Sequence, residues 1–174
     1  QPMNIETIQV VPFARGIVAD YLNTGIDVQY DLEFFDTPTV QECTIQGDER
    51  LLRRAVRNLI DNAMRHNGEG CKIALSLDVE PSSMLALTVA DNGRGCDTSR
   101  IGALMAQAST PDASYDAHGL GLTLVSRISI MHGGYVSFAS EPGRGFTATM
   151  RIPVAMPQSE PTRPEQRESQ ANVR

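Results

Sequence analysis

The chain has 174 residues, 41% of them hydrophobic and 21% charged, an ordinary globular composition with enough apolar material for one core. A formal net charge of −6 argues against a nucleic-acid surface, so an anionic ligand would need a local, organised positive site. Cys43, Cys71 and Cys96 are odd in number and widely spaced with no Cys-x-x-Cys pair, which indicates neither a disulfide scaffold nor a zinc site and fits a reducing compartment.

Val10, Phe13, Ala14, Ile17, Val18, Tyr21 and Leu22 recur at helical spacing, so a helix is expected over 10–22, with Pro12 tolerated in its first turn and Asn23-Thr24-Gly25 ending it. Ile26, Val28, Tyr30, Leu32 and Phe34 alternate with polar neighbours, the pattern of a half-buried strand, and a shorter strand is expected near 40–45. Asp48 is placed to N-cap the helix that follows. In that helix Leu51, Leu52, Ala55, Val56, Leu59, Ile60, Ala63 and Met64 make one broad apolar face. Asn58 and Asn62, one turn apart, border this face, while Arg54, Arg57 and Asp61 point away from it. Arg65 adds a cation to the same border. A carboxamide there wants a hydrogen-bonding or ion partner, although simple solvation explains the same residues.

Alternation over 71–79 and 85–89 around Pro81-Ser82-Ser83 predicts an antiparallel hairpin. Its second strand runs into Asp91-Asn92-Gly93-Arg94-Gly95, where two glycines beside a carboxylate mark a sharp bend or a close approach of backbone to a ligand; Arg94 reads as a solvated side chain. A short helix is expected over 99–107 and a loop over 108–118. Gly119-Leu120-Gly121-Leu122 then opens a helix that Gly133-Gly134 stops after His132. A second hairpin is expected over 135–139 and 146–154, around Gly143-Arg144-Gly145. Beyond Met156 the composition cannot bury a core, so residues 156–174 read as a disordered tail to a domain spanning 1–155. No run approaches the length of a membrane span, nor does a secretory signal open the chain; a cytoplasmic domain is expected, and Gln1-Pro2 reads as the start of a piece of something longer.

In this order the motifs resemble the ATP-binding catalytic domain of two-component sensor histidine kinases, within the wider group that includes DNA gyrase, the large heat-shock chaperones and MutL. The resemblance covers about residues 10–154. It implies an α+β two-layer sandwich of the Bergerat type, with a mixed, mostly antiparallel sheet packed against about three helices on one face. It implies ATP and Mg²⁺ as ligands: Asn62 as the metal-holding asparagine, Asn58 a turn earlier beside the γ-phosphate, Arg65 against phosphate and His66 where an aromatic ring often lies on adenine. Asp91 corresponds to the acceptor for the adenine exocyclic amine, with Gly93 and Gly95 letting the main chain pass close to the base. Gly119, Leu120, Gly121 and Leu122 correspond to the phosphate-facing glycine box, where helix-start amides favour an anion. Gly143, Gly145 and Thr147 match the last glycine box, though a hairpin turn explains the same letters.

The chain departs from the family between Asp97 and His118, where the usual lid phenylalanine is missing. The implied function is transfer of the γ-phosphoryl group to a histidine on the kinase's own helical dimerisation and phosphoacceptor domain, for relay to the receiver domain of a response regulator. No nucleic-acid partner and no membrane contact within this chain are expected, and an inner-membrane anchor elsewhere in the parent protein is left open. A nucleotide-sensing or pseudokinase module is the alternative, with gyrase-type hydrolysis behind it, since Asn58 stands where that group carries a glutamate base.

Overall fold

The structure, a computed structural model, describes residues 2–26, 29–108 and 120–155, without the side chains of 98, 104, 107, 108, 120 and 121. The expected lid segment and the expected tail therefore lie outside the described residues, the one from 109 and the other throughout.

Strand β1, Glu6–Gln9, runs directly into helix α1, Val10–Asn23. Strand β2, Asp31–Asp36, is followed by a single 3₁₀ turn at Pro38–Val40 and strand β3, Thr44–Gly47. Helix α2 spans Glu49–His66. Strands β4, Lys72–Val79, and β5, Met84–Asp91, form a hairpin. Helices α3, Thr98–Ala108, and α4, Leu120–Met131, precede the last hairpin, β6, Tyr135–Ser140, and β7, Phe146–Pro153.

Five strands form the main sheet in the order β2-β4-β5-β7-β6, parallel at β2–β4 and antiparallel elsewhere, while β1 and β3 pair antiparallel in a small second sheet. Alternation puts Ile73, Leu75, Leu77, Leu85, Leu87, Val89, Ala148, Met150 and Ile152 on the buried face. Thr88 and Thr149 lie opposite one another with their hydroxyls 3.3 Å apart. The helices complete the core. Helices α1, α2 and α4 contribute fully buried side chains such as Ile17, Ile60 and Ile128, whereas α3 contributes the partly buried Ile101. This is the expected mixed, mostly antiparallel sheet with about three helices packed on it.

Two strand expectations are corrected. Residues 26 and 29–30 do not start β2: Gln29 and Tyr30 both donate their N–H groups back to Ile26 O, a local turn that removes them from any ladder. Pairing begins only where Asp31 N–H reaches Cys71 O at 3.1 Å. Likewise Val40 closes the 3₁₀ turn, fully buried, and the extended segment is 44–47. Strand β1 was not expected, since four residues with only Ile8 buried give no alternation to read.

Candidate functional site

Helix α2 forms because its apolar stripe meets the sheet and its N-terminus is capped: the Asp48 carboxylate accepts the Leu51 N–H at 3.2 Å. Its last turn faces the end of β5. There the closing carbonyls find side-chain donors, with the Tyr30 hydroxyl on Met64 O at 3.0 Å and the Asn67 carboxamide on Ala63 O at 2.8 Å. A cavity of about 320 Å³ opens between this helix end, the segment after β5, α3, α4 and the start of β7. Its size falls within the range of roughly 300–1,000 Å³ usual for small-molecule sites.

Asn62, His66 and Asn67 line it from α2 and its cap; Asp91 from the end of β5; Arg94, Gly95 and Cys96 from the following loop; Arg100 from α3; Leu122 from α4; and Phe146 from β7. Asp91 is set by two backbone donors on one oxygen, Gly93 N–H at 2.9 Å and Phe146 N–H at 3.2 Å. Its other oxygen has no partner among the described residues. The register that pairs Ala90 with Thr147 brings Phe146 beside Asp91, and it requires glycine at 145: a β-carbon there would stand 1.9 Å from Asp91 O, at φ +90°. Beneath the loop, Asn92 accepts Lys72 N–H at 2.8 Å and the Cys71 thiol at 3.3 Å. Burial and then the neighbouring Asp91 charge push that thiol's pKa up, so it remains a protonated donor.

Of the residues named from the sequence, Asn62, His66, Asp91, Gly95 and Leu122 thus share one cavity. Asn58 lies half-buried one turn back on α2, Arg65 is exposed, and Thr147 is half-buried on β7; none of the three lines the cavity. Gly93 borders a shallower groove beside it. Leu120 and Gly121 belong to the first turn of α4, and Gly119 lies outside the described residues. The reading of Arg94 as merely solvated is corrected, because its guanidinium is bonded to the His66 carbonyl through Nε and Nη2, at 3.0 and 2.9 Å. Asn67, Cys96, Arg100 and Phe146 were not expected. Only Phe146 had a sequence signal, its place directly after Gly143-Arg144-Gly145.

Among the described residues no three His, Cys, Asp or Glu side chains cluster as a metal site. The Asn62 carboxamide in the cavity wall has no protein partner among them. One neutral oxygen suits a hard cation that keeps its waters and takes phosphate oxygens, which fits Mg²⁺ and not a cation that needs an all-protein cage.

Residues 47–156 match the family of histidine kinase-, DNA gyrase B- and HSP90-like ATPases. The sensor protein BasS of Salmonella typhimurium is 35% identical over 115 residues, which are 66% of this chain and 32% of that protein. The chain spans about a third of the length of that protein and of its Escherichia coli counterpart. Among solved structures, the nucleotide-free catalytic domain of histidine kinase ThkA superposes with a TM-score of 0.72 at 18% identity, covering 87% of this chain and 98% of that one. Full-length ShkA in complex with AMPPNP gives 0.74 at 22% identity, over 90% of this chain and 32% of that one. At these identities the two structures establish the fold.

Proposed function

The chain belongs to the family of histidine kinase-, DNA gyrase B- and HSP90-like ATPases, and from that premise we propose that its cavity holds Mg-ATP and serves phosphoryl transfer to a histidine of the same kinase. The observation that carries the reading is the meeting of Asn62 and Asp91, 29 positions apart in the sequence, on the walls of one cavity. ShkA, of the same fold, is a complex with AMPPNP, which supports a nucleotide here.

The Asp91 oxygen left over from its backbone bonds accepts the adenine exocyclic amine, and Phe146 and Leu122 give the base an apolar wall. His66 adds an imidazole face. Helix α4 presents its N-terminal end to the phosphates, with the backbone amides of Leu120, Gly121 and Leu122 as donors, and Arg100 supplies a guanidinium whose fork matches phosphate oxygens. Asn62 would hold Mg²⁺ through its carboxamide oxygen; when bound, the ion neutralises phosphate charge. Asn58, half-buried one turn earlier on α2, and the exposed Arg65 flank Asn62 along the helix without lining the cavity. Catalysis by these residues is positioning and charge placement, because phosphoryl transfer asks little covalent chemistry of the protein.

The acceptor histidine lies on a helical dimerisation domain of the parent protein, and the phosphoryl group passes on to a response-regulator receiver domain. No helix among the described residues is long and apolar enough to cross a membrane. Titration of the chain with ATP and GTP, with and without Mg²⁺, tests the reading. ATP should bind in preference to GTP, and Mg²⁺ should tighten binding in the parent chain but not in Asn62→Ala. Equal Mg²⁺ enhancement in both proteins would remove Asn62 from the metal. The missing lid phenylalanine favours a second reading, a nucleotide-binding module that acts by contact; phosphotransfer to the supplied acceptor domain separates the two.

A further inference from the structure

We infer that Arg94 is a positioning residue for Asp91: its guanidinium fastens the glycine-containing loop to the end of α2, and that loop aims the base-reading carboxylate. The inference rests on reading the cavity as an adenine-nucleotide site.

The physical chain starts at the negative end of a helix. His66 O is among the last carbonyls of α2, which have no partner within the helix and favour a cation. Arg94, 28 residues further along, points two N–H groups at this one oxygen, at 3.0 and 2.9 Å. The backbone of the same residue is held from the other side, since Arg94 O accepts Gly143 N–H from the β6–β7 turn at 2.7 Å. Arg94 is therefore pinned between the end of α2, which lines the cavity, and the turn that leads into Phe146 on its far wall.

Gly93, next to it, transmits the restraint. Its N–H is the shorter of the two donors on Asp91 Oδ1, 2.9 Å against 3.2 Å from Phe146. It also packs so tightly on the cap of α2 that a β-carbon at 93 would lie 1.8 Å from Asn67 Oδ1 and dislodge that carboxamide from Ala63 O. If Arg94 lets go, the Gly93 N–H moves and Asp91 keeps only its longer bond. The carboxylate then rotates more freely in the cavity, and part of the binding free energy is spent on ordering it. A direct phosphate contact by Arg94 would have another signature, growing with the number of phosphates on the ligand.

The test compares Arg94→Ala and Arg94→Lys with the parent chain, by calorimetric Kd for adenosine, ADP and ATP and by amide hydrogen exchange without nucleotide. Arg94→Ala should weaken all three ligands by a common factor of about three- to tenfold, the size expected for one lost hydrogen-bonded contact. Exchange at Gly93 and Gly143 should accelerate while the β4 and β5 amides keep their protection. Lysine can give a single bond to the carbonyl and should recover part of both effects. Three results would overturn the proposal: unchanged affinities, a loss that grows from adenosine to ATP, or faster exchange throughout the sheet. Failure of the parent chain to bind any adenine compound would instead sink the nucleotide reading, and exchange at Gly93 would still report whether Arg94 holds the loop.

Discussion

The imidazole of His132 accepts the backbone N–H of Asp48 through Nε2 at 3.0 Å, with its Nδ1 2.7 Å from Ile128 O. The second contact puts the proton on Nδ1, which leaves Nε2 as the acceptor that the Asp48 N–H requires. One buried ring thus joins the start of α2 to the end of α4, two helices whose opposite ends line the cavity. His132→Ala would leave a buried N–H without its acceptor. The expected loss is about 1–3 kcal/mol of stability, measured by urea unfolding; an unchanged midpoint would mean that water takes over the contact.

The same node predicts part of the acid response. The Asp48 carboxyl is held below the ordinary carboxylate range, chiefly by the Asn4 N–H, with burial opposing and the Leu51 N–H assisting. Asp78 is lowered too, first by the Thr37 hydroxyl and then by the Val79 N–H. A depressed folded pKa contributes stability that is complete above the unfolded value, about 3.9, and is lost as pH falls through the folded one. Asp48→Asn should therefore flatten the fall of the urea midpoint below about pH 4. A slope identical to the parent's would take Asp48 out of the acid response.

Asp91→Asn keeps an oxygen for the Gly93 and Phe146 amides but turns the other acceptor into an N–H donor, which on the proposed reading would face the adenine amine. ATP affinity should drop about 10- to 100-fold, the cost of one unmatched polar contact in a cavity, with little change in melting temperature. Parent-like affinity would show that adenine is read elsewhere.

Arg100 lines the cavity, and its guanidinium has no acceptor among the described residues. Arg100→Ala should weaken ATP about tenfold and ADP less, with adenosine unaffected, as expected for a charge-assisted contact to phosphate. Titration of the three ligands distinguishes this graded loss from the uniform one expected at Arg94. A uniform loss at Arg100 would place it beside the base.

Local pattern was enough for most of the elements. The stripe from Leu51 to Met64 announces α2 because residues three and four apart share a helix face whatever surrounds them, and the alternation of Ile73, Leu75 and Leu77 announces β4 for the same kind of reason. Strand β1 and the true start of β2 escaped, because four residues carry too little period and because Ile26 spends its carbonyl on a local turn.

Sequence alone thus determined the succession of helices, of the strands from β4 onward and of the glycine-bearing turns, together with the chemistry available at Asn62 and Asp91. Tertiary structure decided the parallel pairing of β2 with β4, the withdrawal of Arg65 and Thr147 from the cavity wall, and the use of Arg94 as a tether to His66. The physical reason is range. Periodicity reports a residue's relation to neighbours within a turn or a pleat, whereas a strand's partner and a guanidinium's acceptor depend on groups dozens of residues away that meet only when the core closes.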